Sequence, residues 1–382
     1  MLKIWNIVLI ALTFALTIFG TFVTRSGLIS SVHAFGVSNL GPLFLGFLAL
    51  ILLSSGILLI QRTNLLQSRG SLGTWTSKEA GFMINNILFI AITLGVFLGT
   101  ILPTISELFQ GSKMTVGPNF FNGFSTPLGI VIFLLTGMCV LLSWEKTTAK
   151  KLLRNFIIPV SVGLLSMILL LSFGVSKLLP LVALGIAFFA ITTIVSDWVR
   201  GTLVRSRVNK LAFPKALVHL MTHNKRRFGG YIVHLGMLFF FIGIIGSSSF
   251  QTEKTATLKK NQTLSIGPYT LTFQGIFEER HPAMLVDAAA FNLEKNGRSI
   301  GTIRSEKHLF PNFQPATEVG IRSTLREDVY LILANYDKTN QVATVSVLIN
   351  PLVLWIWIGG IVIVLGTIFA MAPNIFKNKR TV

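Results

Sequence analysis

Apolar runs of about twenty residues recur along this chain, and they limit what it can fold into. A helix needs roughly that many predominantly apolar residues to cross the hydrocarbon of a bilayer. Only 12% of the residues are charged and the mean hydropathy is +0.70, far from an ordinary soluble domain. We predict eight membrane-spanning helices: Ile4–Phe22, Leu40–Ile60, Ile84–Pro103, Pro127–Trp144, Phe156–Phe173, Leu178–Val195, Gly230–Ser249 and Pro351–Ala372.

The net charge of +19 is a topology signal rather than a nucleic-acid-binding signal. With the N-terminus placed in the cytoplasm, 19 Lys and Arg residues fall in inner segments and only 3 in the short outer loops. This bias is the positive-inside pattern of membrane proteins. The other 11 lie in residues 251–350 beside 10 acidic residues, so that segment is nearly neutral. The distribution predicts that both termini are cytoplasmic and that nucleic acid is not a partner.

Residues 251–350 depart from the membrane pattern and predict a mostly β domain. Tyr269–Phe273 alternates polar and apolar side chains, and Val329–Leu333 and Ala343–Ile349 are rich in β-branched and aliphatic residues. Asn296-Gly297 is the usual signal for a tight hairpin turn. We therefore expect a polytopic α-helical membrane protein with a small, mostly-β extracytoplasmic domain before the last helix. The expected division is membrane helices at 1–249, the periplasmic β-rich domain at 250–350, and a last span with a cytoplasmic tail at 351–382.

One histidine lies within a predicted span. His234 stands in the run FGGYIVHLGMLFFFIGIIG, about one turn past the predicted start of the seventh span. Ionisable groups at membrane depth are costly and usually face a bundle interior or a cofactor, and His is the common axial ligand of haem iron. Gly229, Gly230 and Gly236 flank it and leave room for a flat macrocycle. A histidine that hydrogen-bonds a neighbouring helix is the alternative, and the residue pattern leaves both open.

A second histidine, His33, lies just outside the first predicted span. Its loop, Leu28–Pro42, is apolar and uncharged, the kind of surface that a porphyrin face contacts. Arg25 at the same membrane face is placed to pair with a haem propionate, or else to reach the lipid headgroups. Loop histidines are common, so the local pattern alone does not assign iron ligation to His33.

The remaining histidines and the single cysteine give weaker signals. His219 and His223 are four residues apart and would share a helix face, but the cations around them disfavour a metal ion. His281 and His308 lie in the predicted β domain without ligand spacing, and we interpret both as structural or surface residues. Cys139 alone supports neither a disulfide nor a CxxCH haem-attachment motif.

Five segments, in order along the chain, resemble the CcmF family, the membrane haem lyases of cytochrome c maturation. They are MLKIWNIVLI, GTFVTRSGLISSVHAF, RRFGGYIVHLG, EKHLFPNFQPATEVGIRSTLREDVYL and NPLVLWIWIGG. The resemblance implies a bacterial inner-membrane protein that positions haem from the chaperone CcmE for attachment to the CxxCH thiols of apocytochrome c. It implies that His33 ligates this transient haem substrate at the outer face, near Arg25. It also implies that His234 is one of two axial iron ligands of a membrane-embedded haem b.

The chain departs from the family pattern in one respect. The 382 residues contain no Trp-rich outer segment, the WWD motif, and the preceding outer histidine and the second membrane ligand are missing as well. A six-coordinate haem at either site therefore needs a ligand from outside these residues. The expected partners are an N-terminal CcmF half carrying the WWD segment, CcmE, apocytochrome c and its thiol-handling CcmH-type subunit. Whether the chain is a split-gene product or a truncated copy stays open, and so does catalysis by the chain alone.

Two other classes of function remain as hypotheses. A passive scaffold would dock the chaperone or apocytochrome through the β domain without binding haem. A haem transporter is disfavoured, because neither charged residues deep in a span nor inverted repeats are evident in the sequence.

Overall fold

A computed structural model describes residues 3–26, 40–66, 74–144, 148–311 and 314–373. Within these ranges eight helices are long and apolar enough to cross a membrane, and a β-sandwich lies before the last of them. The predicted fold class is thus confirmed, while the side of the membrane on which the sandwich lies stays a prediction. The helices are α1 Lys3–Arg25, α2 Gly41–Gln61, α3 Thr63–Leu66, α4 Lys78–Gln110, α5 Pro118–Leu141, α6 Ala149–Ser172, α7 Leu178–Asn209, α8 Phe213–His223, α9 Lys225–Phe250 and α10 Val353–Met371.

Several helices extend beyond the predicted spans. Pro103 and Pro127, predicted as helix boundaries, lie inside α4 and α5. Proline removes one backbone donor, but membrane helices tolerate it because neighbouring groups satisfy the freed carbonyl. At the polar ends, α7 continues to Asn209 and α9 begins at Lys225, since basic residues outside the apolar run still form good helix.

The chain divides into two compact units, Met1–Leu135 with Leu142–Leu152, and Thr136–Leu141 with Leu153–Val382. In the first unit, Gly95 and Gly99 on α4 face phenylalanine rings of α5. A Cβ at Gly99 would lie 2.7 Å from the ring of Phe121, and one at Gly95 would meet the ring of Phe124. This glycine pair therefore accommodates bulky side chains of the same polypeptide.

In the second unit, α9 and α10 run antiparallel and touch through their backbones. A Cβ at Gly236 would lie 2.7 Å from the Ile363 nitrogen, and one at Gly359 would lie 2.5 Å from the Phe240 nitrogen. Small residues allow this approach, and close packing is the main attraction between helices surrounded by lipid. We call this row of contacts the glycine seam.

The sandwich consists of two antiparallel sheets. One has the strand order β1-β9-β8-β7 and the other β2-β3-β4-β5-β6. The strands are β1 Thr252–Lys259, β2 Thr263–Ile266, β3 Tyr269–His281, β4 Met284–Lys295, β5 Arg298–Leu309, β6 Ala316–Glu318, β7 Gly320–Ser323, β8 Glu327–Asp337 and β9 Val342–Pro351. Alternate residues of the strands fill a closed core that includes Phe273, Phe291, Leu331 and Val345.

The strand predictions are confirmed where they were specific. Tyr269–Phe273 lies in β3, Val329–Leu333 in β8 and Ala343–Ile349 in β9. Asn296 and Gly297 connect β4 to β5 with φ angles of 50° and 76°, as a two-residue type I′ hairpin requires. Both the residue types of the turn and the alternation of polar and apolar side chains could therefore be used to predict these strands from the sequence.

Polar side chains join the two sheets at one end of the core. The Tyr336 hydroxyl on β8 donates to Asp287 Oδ2 on β4 at 2.7 Å, and Lys338 Nζ lies 3.1 Å from the other carboxylate oxygen. Burial and this hydrogen bond raise the pKa of Tyr336 to about 12. Because Asp287 is buried, its carboxylate needs these partners to offset the cost of leaving water.

Substitution of Gly359 by alanine tests the glycine seam. We expect a loss of about 1–3 kcal/mol of stability, because the new methyl group collides with the backbone of α9. The next residue, Gly360, faces open space, so Gly360→Ala is the matched control and should not lower the melting temperature of the full chain in detergent. Equal melting temperatures for the two variants would contradict the seam.

Substitution of Tyr336 by phenylalanine tests the polar link between the sheets. The folded protein holds this phenol protonated, so its contribution is present below pH ~10 and is lost as the pH rises through about 12. We expect Tyr336→Phe to lower the melting temperature at pH 8, with a gap from wild type that narrows above pH 11. A gap that stays constant with pH would argue against the link.

Candidate functional site

Helix α9 packs mainly against α10 and α7, and the described residues leave one of its faces uncovered. The glycine seam covers the side towards α10, and Tyr231 turns towards α7. Exposed side chains of α9 recur at helical spacing along the remaining face: Arg226, His234, Met237 and Ser248. Arg227 is exposed as well and lies at the border of this face with α7.

His234 is the ionisable residue on that open face within the apolar part of α9. The helix begins at Lys225, five residues before the predicted start of the span at Gly230, so His234 lies nine residues, or about 14 Å, along the helix. Its side chain is exposed, and no hydrogen bond joins it to any described residue. An imidazole at this depth without a partner is costly in lipid, which indicates that a further group contacts it.

The three glycines around His234 have different roles. Gly229 and Gly236 do not leave space for a macrocycle, as the sequence suggested, because α10 fills it. A Cβ at Gly229 would lie 2.6 Å from that of Ala370. Gly230, one turn before His234 on the same face, has nothing within 4 Å of an added Cβ. Of these three glycines, only Gly230 therefore leaves space beside the imidazole among the described residues.

This geometry fits one axial ligand of a haem and does not complete a pair. The imidazole nitrogen is a suitable iron ligand, and the gap at Gly230 admits a flat ring edge. The other histidines that the structure describes lie on α8 and in the sandwich, away from His234. Within the described ranges no three His, Cys, Asp or Glu residues form a metal-binding group.

A charged cluster fixes α9 against α7 one turn before His234. Arg227 Nη2 and the Tyr231 hydroxyl both donate to Asp197 Oδ2, at 2.6 and 2.8 Å, and Arg227 Nε lies 3.1 Å from the Tyr231 oxygen. Sequence reasoning missed this cluster. The signal was present, because Asp197 is the sole acidic residue between Glu145 and Glu253, in a segment crowded with Lys and Arg.

Aromatic rings support the same contact. Trp198 on α7 stacks on Phe228 with parallel planes and centroids 6.0 Å apart, and it meets Tyr231 edge-on at 6.4 Å. The Trp198 indole nitrogen is buried and has no hydrogen-bond partner among the described residues. The rotation of α9 about its axis is therefore held by salt bridge, hydroxyl and ring contacts together, which sets the direction in which His234 projects.

His219 and His223 share a face of α8, as predicted from their spacing. Their rings stack with centroids 3.9 Å apart, and Arg205 Nε donates to His219 Nδ1 at 3.0 Å. Desolvation, followed by His223 and Arg205, lowers the pKa of His219. The neutral His219 ring accepts the hydrogen bond from Arg205 at Nδ1. The lone pair of that nitrogen is therefore already used within the protein.

The outer candidate residues are only partly described. His33 lies outside the described residues, so its position relative to Arg25 stays a prediction. Arg25 is the last residue of α1 and is half-buried. In the sandwich, His308 Nε2 lies 3.1 Å from Glu306 and His281 Nε2 lies 4.0 Å from Glu279, so both contact carboxylates of their own sheet.

Comparison with known proteins places these features in context. Residues 249–351 match the family model described as the CcmF C-terminal beta-sandwich. The chain is 29% identical over 376 residues to the cytochrome c-type biogenesis protein CycK of Rhizobium meliloti, covering 98% of this chain and 55% of that protein. It is 28% identical over 386 residues to CcmF of Pseudomonas aeruginosa, covering 99% and 56%.

A solved structure has the same fold. The protein titled Cytochrome c Heme Lyase CcmF superposes with a TM-score of 0.77 at 24% identity, over 97% of this chain and 55% of that one. The chain thus spans little more than half the length of its relatives and of this structure. The chain is thus similar over nearly its whole length to the C-terminal part of CcmF proteins, and its residues 249–351 match the sandwich of that family.

Proposed function

We propose that this chain is the haem-handling membrane part of a cytochrome c haem lyase. The observation that supports it most directly is the exposed imidazole of His234, within a spanning helix and beside the open space at Gly230. The family relationship supports it independently, since the relatives are cytochrome c biogenesis proteins.

In this proposal the imidazole of His234 would help to hold a haem b within the membrane. A haem held there would supply one-electron redox chemistry. The protein contributes orientation, because the glycine seam and the Asp197 cluster fix α9 before any ligand arrives. Such preorganisation lowers the entropic cost of binding the group.

A second haem, the substrate, would sit at the outer face on His33. Arg25 at the end of α1 would pair with one of its propionates through a charge-assisted hydrogen bond. Thioether formation then belongs to the haem and the thiols of the apocytochrome CxxCH motif, while the protein holds the reactants together.

The proposal requires residues beyond this chain. Each haem site would need a further protein ligand, and this chain covers only 55% and 56% of the length of the two relatives. We propose that the WWD-bearing N-terminal part of the family supplies both ligands. CcmE would deliver the substrate haem, and a CcmH-type subunit would present the reduced apocytochrome.

The proposed location is the bacterial inner membrane, with both termini cytoplasmic. The distribution of Lys and Arg supports this orientation, since the inner segments carry nearly all charges outside residues 251–350. Residues 250–350, which coincide closely with the matched sandwich, would then be the periplasmic domain, between membrane helices at 1–249 and the last span and tail at 351–382.

Removal of the membrane imidazole should abolish haem b binding. We expect the full chain, purified from cells with a complete maturation system, to show a b-type visible spectrum that His234→Ala eliminates. Gly230→Leu should also reduce haem content, because the leucine fills the adjacent space while the ligand remains.

Gly360→Leu is the control for this pair, since it adds the same side chain to a spanning helix at a position that also faces open space. It should retain the wild-type spectrum. An unchanged spectrum in His234→Ala would remove this residue from the site. Normal cytochrome maturation in that variant would favour the passive scaffold.

Removal of the outer imidazole should separate haem attachment from haem b binding. We expect His33→Ala to keep the b-type spectrum and to stop holocytochrome c formation, measured by haem staining of a reporter cytochrome. His281→Ala is the control, because this exposed histidine has only a distant carboxylate partner. Maturation at wild-type level in His33→Ala would refute its assignment.

A further inference from the structure

A cleft opens where α9 begins and α10 ends, at the end of this helix pair that lies away from the sandwich. Its volume is about 920 Å³. One wall is the start of α9 with His223 before it, and the other is the end of α10, from Ala370 to Pro373. The walls are held together by the contact of Gly229 with Ala370 and by a hydrogen bond from Lys225 Nζ to the Pro373 carbonyl, at 2.7 Å.

The α9 wall of this cleft is strongly basic. Lys225, Arg226 and Arg227 follow one another, and neither Asp nor Glu lines the cleft among the described residues. Arg227 is paired with Asp197, and Lys225 with a neutral carbonyl. Arg226 has neither a hydrogen bond nor an ion pair with any described residue, and its side chain is exposed. The cleft therefore carries uncompensated positive charge that an anion would neutralise.

The α10 wall is apolar. It presents Ala370, Met371 and Ala372, and the Met371 side chain is 79% exposed. A cationic wall facing an apolar wall, at the end of two spanning helices, matches the junction between the phosphate and the acyl chains of a phospholipid. Basic pockets between spanning helices are a known type of site for anionic headgroups.

We propose that this cleft binds the phosphate headgroup of an anionic phospholipid. Arg226 and Lys225 would contact the phosphate oxygens, and Met371 the start of an acyl chain. A free phosphate ion would use the basic wall alone, whereas a lipid uses both walls. The site is separate from His234, because the α9 residues that line it, Lys225 to Arg227, lie at least seven positions before His234.

Further cations follow the last described residue in the sequence. After Pro373 the chain continues with Lys377, Lys379 and Arg380, which have the same sign as the α9 wall. These cations strengthen the attraction for an anionic membrane surface.

Lipid binding by the full chain in detergent tests the proposal. Native mass spectrometry would follow titration with phosphatidylglycerol, with phosphatidylcholine, and with inorganic phosphate as a competitor. We expect Lys225→Gln/Arg226→Gln to weaken phosphatidylglycerol binding about thirtyfold, at roughly 1 kcal/mol for each charge. Phosphatidylcholine binding should not change.

Arg207→Gln/Lys215→Gln is the matched control, because it removes the same two charge types from exposed positions that do not line the cleft. It should change phosphatidylglycerol affinity less than about threefold, as expected for screened surface charges. Should the cleft variant not fold, Met371→Glu adds a repelling carboxylate to the exposed apolar wall and should weaken binding as well.

Equal losses of affinity in the cleft and control variants would overturn the proposal, since binding would then reflect general surface charge. Displacement of the lipid by millimolar inorganic phosphate would also overturn it, because the cleft would then be a free-phosphate site. Loss confined to the cleft variants, with lipid retained against phosphate, would support it.

Discussion

The close approach of α9 and α10 is the contact on which the second unit depends. Gly229, Gly236 and Gly359 bring the two backbones within van der Waals distance, so neither helix turns about its axis without a collision. Lipid provides no hydrophobic drive for this pairing, and packing of backbone on backbone takes its place. The seam also determines which side of α9 stays open, and His234 stands on that side.

A polar contact with α7 adds to the restraint that the glycine seam places on α9. Asp197 accepts from both Arg227 and Tyr231, so a single carboxylate ties α7 to α9 at one end of the pair. Separating such a pair leaves a poorly solvated charge, which is costly near hydrocarbon. Together the glycine seam and the Asp197 contact fix the rotation of α9 about its axis. The direction of the His234 imidazole is therefore set before a ligand binds on the open face.

Much of this fold could be predicted from the residues, and the reasons are local. The length of the apolar runs predicted the eight spans. Alternating polar and apolar residues, together with the Asn-Gly turn, predicted the strands around residue 296. Pairings between distant segments could not be derived in this way. Gly229 and Gly236 next to a histidine suggested space for a ligand, but their neighbour is α10, more than a hundred residues later in the chain. Likewise Asp197 was visible as a lone acid, while its partner Arg227 depended on how α7 and α9 pack.

The connections between the helix pair and the sandwich are very short. Only Gln251 separates α9 from β1, and only Leu352, in a left-handed conformation with a φ of 62°, separates β9 from α10. The Trp355 indole further donates to the Leu325 carbonyl at 3.0 Å, across the loop before β8. These two one-residue connections and this hydrogen bond restrict rotation of the sandwich relative to the helix pair. A tilt of the helix pair in the bilayer should therefore also tilt the sandwich, because one residue at each connection leaves the two parts little freedom to reorient separately.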